Sequence, residues 1–315
     1  MILVTGGAGF IGGNYLWNTV WKIDDEIVCV DKLTYASNYD YIEPLVNNER
    51  ISFEHADIKD EEDIKRIFDK YKPKHIINFA AESHVDNSIN DYTPFVDTNI
   101  LGTLNLLKHS MNLDSLEKFI HVSTDEVYGS LELDSDESFH ELTQYQPNNP
   151  YSASKAASDH FVRAFYKTYG IPAIITNCSN NYGPGQHKEK FIPTIINKAR
   201  KNHKIPVYGD GLNVRDWLFV HDHCDGINLV RQKGKIGEKY NIGGGTEVSN
   251  IELVKMILKV MNKPESLIEY VTDRPGHDRR YSINCDKITK ELGYKPNYTL
   301  EQGIQKTLPW YGETK

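Results

Sequence analysis

A tyrosine and a lysine four positions apart, Tyr151 and Lys155, are the residues whose types and spacing most directly suggest chemistry. They open a segment of helical pattern that follows Pro150 and runs to about Tyr169, so both side chains share one helical face. A nearby ammonium group favours the phenolate form of tyrosine, whose reference pKa is about 10. This pair therefore predicts a general base, although an isolated match to the spacing is more often a surface pair.

Three polar residues, Thr124, Asp125 and Glu126, follow a β-rich run at Lys118–Val122. A parallel strand delivers the residues at its carboxyl end to the ligand crevice of an α/β sheet. Of two adjacent carboxyl groups, one can stay protonated and act as a general acid while the other acts as a base. The pair predicts chemistry beyond simple oxidation; the alternative is an acidic surface loop.

A glycine-spaced turn containing Gly6, Gly9 and Gly12 comes directly after the apolar run at the N-terminus. Glycines at such a turn let the backbone approach a pyrophosphate, and the following helix offers unpaired N–H groups to the anion. The spacing is GxxGxxG rather than GxGxxG, and a lone glycine-rich run is weak evidence. Its position between a strand and a helix nevertheless predicts a dinucleotide site.

Asp31 ends the second β-rich run, at the distance from the turn where a carboxylate hydrogen-bonds an adenosine ribose. A carboxylate there repels a 2′-phosphate, which favours NAD over NADP, although the neighbouring Lys32 weakens this preference. The residues predicted to bind NAD lie mainly at the ends of successive β-rich runs and in the helical segments that follow them. They are Gly6, Gly9, Phe10, Ile11, Gly12, Asp31, Lys32, Asp57, Ile58, Ala80, Ala81, Thr98, Tyr151, Lys155 and Asn177.

Short β-rich runs alternate with helical patterns through the first half of the chain, which is typical of βαβ units. The fold class predicted is α/β: a Rossmann-type doubly wound parallel sheet with a smaller, mixed α/β substrate-binding domain. We expect residues 1–177 to form the cofactor domain, with parts of 213–245 returning to it, and residues 178–315 to form mainly the substrate side. The runs are Met1–Thr5, Glu26–Val30, Ile51–His55, His75–Phe79, Lys118–Val122 and Ala173–Thr176.

The composition of the chain restricts the kinds of partner that it can bind. The chain has 315 residues and a formal net charge of −8 without a Lys/Arg-rich run, which argues against nucleic-acid and membrane-surface binding. No apolar stretch approaches the roughly 20 residues that span a bilayer. The four cysteines are widely separated and show no zinc-site spacing, so we expect reduced thiols, no structural metal and a cytoplasmic location.

Six segments, TGGAGFIG, STDEVYG, YSASK, NCSNNYGPGQ, VYGDGLNVRDWLFV and DRPGHDRRY, resemble the extended short-chain dehydrogenase/reductase superfamily over almost the whole chain. Within it, the triplet Thr124-Asp125-Glu126 is similar to that of the dTDP-glucose 4,6-dehydratases. Related nucleotide-sugar epimerases and decarboxylases share the glycine turn and the Tyr-Lys pair but generally lack the Asp-Glu pair.

The resemblance implies oxidation, elimination and reduction on one bound sugar. Tyr151, tuned by Lys155, takes the proton of the C4 hydroxyl while hydride passes from C4 to NAD, and Thr124 hydrogen-bonds near that hydroxyl. Glu126 then removes the C5 proton, Asp125 protonates the departing C6 hydroxyl, and the hydride returns to C6. The implied product is dTDP-4-keto-6-deoxy-glucose, formed by a hydro-lyase that regenerates its NAD in each turnover.

The resemblance also implies a set of substrate ligands, among which arginine suits bidentate phosphate contact. The set is Ser83, His84, Thr124, Asn180, Lys190, Pro206, Tyr208, Arg215, Asn250, Arg274, His277 and Arg280. The sequence departs from the family pattern at Gln186-His187-Lys188, where a more aromatic or proline-containing stretch is expected.

Other functions remain open at this stage. They are a UDP- or GDP-sugar 4,6-dehydratase, a 4-epimerase and, from a different class, a non-catalytic NAD-sensing regulator. Selectivity for thymine and the fate of the keto sugar, rhamnose or another deoxysugar, are not decided by the residues. The family forms homodimers through a helix bundle, for which the apolar residues of Tyr92–Met111 and Tyr151–Tyr169 are candidates.

Overall fold

The computed structural model describes residues 1–273 and 276–312. Its strands, in chain order, are β1 (Ile2–Thr5), β2 (Ile27–Asp31), β3 (Ser52–His55), β4 (His75–Asn78), β5 (Lys118–Thr124), β6 (Ala173–Cys178), β7 (Asn180–Tyr182), β8 (Ile205–Tyr208), β9 (Val214–Phe219), β10 (Lys239–Ile242), β11 (Glu247–Ser249) and β12 (Ile268–Val271).

The α-helices are α1 (Phe10–Thr19), α2 (Tyr39–Asn47), α3 (Glu61–Tyr71), α4 (Val85–Asn90), α5 (Thr93–Phe95), α6 (Thr103–Ser110), α7 (Pro150–Tyr169), α8 (Phe191–Arg200), α9 (Val220–Lys233), α10 (Asn250–Val260), α11 (Asp286–Leu292) and α12 (Leu300–Thr307). A π-helical segment, Val96–Gly102, joins α5 to α6, and 3₁₀ turns occur at Asp125–Tyr128, Glu265–Leu267 and Leu308–Tyr311.

A seven-stranded parallel sheet in the order β10-β6-β5-β4-β1-β2-β3 confirms the predicted fold class. Its central strands are buried on both faces because they carry consecutive apolar residues, as in β1, where Ile2, Leu3 and Val4 are all inaccessible. The chain steps outward from β1 to β3 and then returns to β4 on the other side of β1. This reversal opens a crevice at the carboxyl ends of β1 and β4, the usual ligand position in such sheets.

The second half of the chain contributes to both sides of the molecule. Strand β10 pairs with β6 at the edge of the main sheet, and α9 packs on α1, so elements of residues 213–245 contact the first half of the chain. Strand β9 instead lies in a three-stranded sheet with β7 and β11. Helices α8, α10 and α12 pack around a separate apolar core. The division at residue 177 stays a prediction.

The helical pattern predicted at Tyr92–Met111 is broken by the π-helical segment. This wider turn places Thr98 and Asn99 inside the protein, where both are buried. The Asn99 amide nitrogen donates to Ser154 Oγ on α7 at 2.8 Å, and its oxygen accepts from the Glu82 backbone N–H at 2.9 Å. The segment therefore links the loop after β4 to α7. Across the described residues, the helices are all too short or too polar to traverse a bilayer.

Helix α7 has well-defined ends. Asn149 caps it by accepting from the Ser152 backbone N–H at 2.9 Å, Pro150 occupies the first turn, and Gly170 ends it with a φ of +75°. These caps fix the register of the helix, and with it the direction in which Tyr151 and Lys155 point.

Candidate active site

A cavity of about 500 Å³ lies at the carboxyl ends of the central strands. The glycine turn after β1, the ends of β2, β4 and β5, and the first turns of α7 form one wall. The segments around residues 180–195, 206–217 and 250 form the other. A cavity of this size and shape accommodates an extended ligand across the switch point of the sheet.

The glycine turn fits a pyrophosphate because side chains there would collide with backbone. Gly6 has a φ of +69°, and a Cβ on it would lie 2.6 Å from the Ala80 backbone nitrogen. A Cβ on Gly12 would overlap the Gly6 carbonyl oxygen. The bare turn and the start of α1 thus leave room and N–H groups for an anion at this end of the cavity.

Asp31 holds the turn in place from the end of β2. One carboxylate oxygen accepts from the Ala8 backbone N–H at 2.9 Å, and the other accepts from the Leu33 N–H at 2.8 Å and from Ser37 Oγ at 3.0 Å. A carboxylate has about four acceptor positions, so one remains for a ribose hydroxyl.

Lys32, which could have bound a 2′-phosphate, is engaged by groups of the chain. Its ammonium donates to Thr98 Oγ1 at 3.0 Å and lies 3.7 Å from carboxylate oxygens of both Asp57 and Glu82. The two carboxylates offset its charge. The residues at the end of β2 therefore fit the adenosine of NAD better than that of NADP.

Tyr151 and Lys155 both line the cavity from the start of α7. Lys155 is almost fully buried, and its Nζ donates to the Val122 carbonyl oxygen at 2.8 Å. Burial lowers the pKa of Lys155, whereas the charge of Asp159 acts in the opposite direction. The predicted Tyr-Lys pair is thus part of an enclosed site rather than of the surface.

The pKa of Tyr151 is raised, first by burial and then by the charge of Glu126, while the Thr124 side chain acts against this. This direction is opposite to the one that the nearby lysine alone predicts. The sequence could not reveal it, because burial and the carboxylate outweigh the ammonium only in the folded chain. A cationic ligand beside the phenol would offset the same charge.

The triplet Thr124-Asp125-Glu126 forms the end of β5 and the start of a 3₁₀ turn. Thr124 Oγ1 accepts from the Glu126 backbone N–H at 3.3 Å, which orients the turn, and Glu126 Oε2 lies 3.2 Å from Ser152 Oγ on α7. Thr124 and Glu126 line the cavity beside Tyr151. Their side chains thus face the same space as the phenol.

Asp125 is buried behind the cavity wall, with 1% of its surface exposed, and it is not among the cavity-lining residues. Burial raises its pKa well above the usual range, and the charges of Glu126 and Asp216 act in the same direction. Among the described residues, its Oδ2 has no hydrogen-bond partner. Asp125 is therefore a protonated carboxyl group one layer from the cavity.

Most of the predicted substrate ligands line the cavity: Ser83, His84, Asn180, Lys190, Pro206, Tyr208, Arg215, Asn250 and His277. The guanidinium of Arg215 stacks over the Tyr281 ring at 4.2 Å and donates to the Asp278 carbonyl oxygen at 2.7 Å. These contacts fix an arginine at the end of the cavity distant from the glycine turn, as an anion ligand requires.

Two predicted ligands are not brought to the cavity. Arg280 donates to Glu247 Oε2 at 2.8 Å and to the carbonyl oxygens of Ser135 and Glu137, so it holds the 130–138 loop. Asn177 lies in the wall, where its amide donates to the Thr124 carbonyl oxygen at 3.0 Å. Arg274 lies outside the described residues. The other cofactor residues predicted from sequence all line the cavity.

Sequence reasoning missed several cavity residues. Glu82 faces Lys32, and Ser37 supports Asp31, but neither contact has a spacing signal because loops bring the partners together. Glu189 lies 3.8 Å from His84 Nε2 and 3.5 Å from His187 Nδ1, across the mouth of the cavity. The adjacent Lys190 donates to the Ser83 carbonyl oxygen at 2.9 Å.

Comparison with known proteins agrees with this geometry. The GDP-mannose 4,6 dehydratase family model matches residues 3–307. A dTDP-glucose 4,6-dehydratase of Haemophilus influenzae is 49% identical over 98% of this chain and 97% of its own length. A crystal structure of the Streptomyces venezuelae dTDP-glucose 4,6-dehydratase with NAD and dTDP bound superposes with a TM-score of 0.94 at 43% identity, covering 98% of this chain and 96% of that one.

A UDP-glucose 4-epimerase of Thermotoga maritima also superposes, with a TM-score of 0.91 over 98% of both chains, but at 27% identity. The fold is thus shared across the superfamily, whereas the sequence is much closer to the dehydratases. From the full-length matches and the site that they cover, the chain belongs to the dTDP-glucose 4,6-dehydratase family.

Proposed function

We propose that this protein dehydrates dTDP-glucose to dTDP-4-keto-6-deoxy-glucose with NAD as its recycled cofactor. The observation that carries the proposal is one cavity that is lined by the glycine turn, the Tyr151-Lys155 pair, Thr124 and Glu126, with Asp125 buried directly behind its wall. An epimerase has no use for two carboxyl groups beside the base, and a regulator that only senses NAD has no use for any proton-transfer group.

When bound, NAD supplies the hydride acceptor for C4 and the donor for C6. Tyr151 accepts the proton of the C4 hydroxyl. The Lys155 ammonium favours the phenolate form of Tyr151 that accepts this proton. Thr124, which lines the same cavity as the phenol, orients that hydroxyl. Asp31, Lys32 and the glycine turn hold the cofactor, while Arg215 and Asn250 bind the diphosphate and nucleotide of the substrate.

The two carboxyl groups divide the elimination between them. Glu126 faces the cavity and removes the C5 proton, which the C4 ketone has made acidic. Asp125 stays protonated because burial and two neighbouring carboxylates raise its pKa, so it supplies a proton for the departing C6 hydroxyl. Because Asp125 lies behind the wall, its proton reaches C6 after a change of side-chain rotamer or through one water molecule.

Incubation of the purified protein with dTDP-glucose, without added cofactor, tests the proposal. We expect a product whose 4-keto group absorbs in alkali, and in deuterated water we expect label at C5 of that product. UDP-glucose is the matched control substrate for selectivity toward the nucleobase. Thymine and uracil differ by one methyl group, whose burial in an apolar pocket contributes about 1–3 kcal/mol of binding free energy. Unchanged substrate or a C4 epimer would contradict the proposed reaction.

We propose further that the protein is a homodimer. Large apolar side chains remain exposed along the segment before and within the π-helical turn and on the outer face of α7: Ile89, Tyr92, Val96, Leu101, Phe161 and Tyr169. An apolar surface of this extent favours pairing with a second copy. Sedimentation equilibrium should give twice the chain mass, and Leu101→Glu with Phe161→Glu should shift it to the monomer. A monomeric parent protein would refute this.

We also propose that the reaction takes place in the cytoplasm. The four cysteines are free thiols in the structure, which is typical of proteins from reducing compartments. Both NAD and nucleotide sugars are intracellular metabolites, so a free cofactor supply is present there.

A further inference from the structure

A buried cluster of charged and polar groups lies behind Lys155, on the side away from the cavity. Asp159 is one helical turn beyond Lys155 on α7, and both side chains are at least 97% buried. His121 of β5, which is fully inaccessible, lies between them: its Nε2 is 3.4 Å from Lys155 Nζ and 3.4 Å from Asp159 Oδ1. One nitrogen of the imidazole therefore lies between a cation and an anion.

The contacts of His121 indicate which of its two ring nitrogens carries the proton. Thr5 Oγ1 accepts from the Ala80 backbone N–H and donates to Asn78 Oδ1 at 2.6 Å, which turns the Asn78 amide nitrogen toward His121 Nδ1 at 3.2 Å. Nδ1 is then an acceptor, so the ring proton sits on Nε2, facing Ser158 Oγ at 3.1 Å and Asp159 Oδ1. Burial and the charge of Lys155 lower the pKa of His121 to about 4, so the ring is neutral near pH 7.

A buried ammonium group is costly unless an opposite charge is close. Burial would raise the pKa of Asp159, but the contact with His121 and the charge of Lys155 outweigh it and leave the pKa lowered. Two hydrogen bonds hold the other oxygen of the carboxylate: Tyr145 donates to Oδ2 at 2.7 Å, and Asn177 donates to the same oxygen at 3.3 Å. Asp159 is thus an anion built into the core on the face of α7 that carries the catalytic pair.

We propose that Asp159 is a positioning residue whose charge, one helical turn from Lys155 and beside His121, keeps Lys155 protonated. This proposal rests on the proposed function, in which the Lys155 ammonium assists Tyr151. It gives the buried Asp159, which does not line the cavity, a role in the proton chemistry without contact with the substrate.

The other titratable groups around the pair come from every neighbouring element. Tyr128 and Tyr145 have pKa values raised by burial and stay neutral. Cys178 of β6 faces Lys155, and burial raises its pKa as well. The ammonium of Lys239 from β10 lies over the Tyr145 ring at 4.1 Å, and Glu141 lies beyond it. Asp159 is thus the carboxylate that offsets the burial of Lys155 among the described groups.

The test is the pH dependence of the Asp159→Asn variant, which preserves shape and an acceptor for Tyr145 while removing the charge. Activity needs the Lys155 ammonium, so it is lost as pH rises through the pKa of Lys155. Without Asp159 that pKa falls, and the alkaline limb of kcat should move to lower pH by about one to two units, as expected for the loss of an adjacent charge. KM for dTDP-glucose should change little.

Two matched variants separate charge from packing. Tyr145→Phe removes the shortest hydrogen bond to Asp159 but leaves its charge, so the alkaline limb should stay in place even if the protein melts earlier. Asp159→Glu restores the charge and should bring the limb back toward that of the parent protein. An alkaline limb that is the same in Asp159→Asn and in the parent would overturn the proposal.

A second measurement does not depend on turnover or on the folding of the Asn variant. In the NAD-loaded parent protein with isotope-labelled lysine, the Lys155 Nζ resonance, assigned with Lys155→Met, should report an ammonium through neutral pH. A neutral amine at that pH would refute the role of Asp159. If Lys155 is charged but dTDP-glucose is not converted, the proposed function fails while the charge relation between Asp159 and Lys155 stands.

Discussion

Replacing Tyr151 with Phe should reduce the turnover of dTDP-glucose by about 10³-fold, because it removes the group that accepts the C4 hydroxyl proton. The phenol is the one group of its kind placed by α7 beside both Thr124 and Glu126 in the cavity. The variant should also show no reduced cofactor in a single turnover, since the loss precedes hydride transfer. Binding of dTDP, measured by calorimetry, should be nearly unchanged.

Tyr128→Phe is the matched control for this variant. Tyr128 is equally buried and lies just after the catalytic triplet, but its hydroxyl donates to Asn241 Oδ1 at 2.9 Å and does not line the cavity. Its loss should lower stability by about 1 kcal/mol and leave the chemical steps intact. If Tyr151→Phe retained most of its activity, or if the two variants lost the same amount, Tyr151 would not be the base.

The strands that build the cavity could be predicted from sequence because short β-rich runs, several of them apolar on consecutive positions, alternate with helical patterns. Six such runs were predicted, and all six are strands of the parallel sheet, with ends displaced by one or two residues. Strand β10, Lys239–Ile242, lies within residues 213–245, but the sequence does not show that it pairs with β6. Local pattern is thus sufficient for buried parallel strands, but pairing partners distant in sequence are not encoded in it.

The site residues also divide into those that local spacing predicts and those whose position depends on partners distant in the sequence. The glycine turn, Asp31 and the Tyr-Lys pair have fixed spacing within one βα unit or one helix, and the structure brings them to one cavity. Arg280 was predicted to bind substrate but does not line the cavity. The sequence does not show which acidic residue a charged side chain will contact, here Glu247. The burial of Asp125 could not be predicted either, since a residue at a strand end can face the crevice or the layer behind it.

The pKa of Tyr151 shows why electrostatics was the least predictable property. From sequence, the lysine four residues away is its only visible neighbour. In the folded chain, burial and the charge of Glu126 dominate, and both raise the pKa of Tyr151. The counter-charge of Lys155 itself comes from Asp159, which lies on the same helix face but gains its importance only from the burial of both groups.

Glu126→Gln should separate oxidation from elimination. Glutamine keeps the size of the side chain and can keep the contact with Ser152, whose Oγ lies 3.2 Å from Glu126 Oε2 in the parent protein. Its amide cannot accept the C5 proton. We expect overall turnover to fall by about 10³-fold, within the range for loss of a general base, while C4 oxidation continues. Reduced nicotinamide should therefore accumulate on the enzyme in a single turnover, and recovered sugar should carry no deuterium at C5.

This pattern is specific because the two bases act on different protons of one sugar. Tyr151→Phe stops the reaction before the cofactor is reduced, whereas Glu126→Gln stops it afterwards, so the two variants should differ in cofactor absorbance and not merely in rate. Glu132→Gln, which neutralises an exposed carboxylate outside the cavity, is the matched control and should behave like the parent protein. An unaltered overall rate in Glu126→Gln would remove Glu126 from the elimination. Loss of C4 oxidation as well would place its charge, rather than its basicity, at the first step.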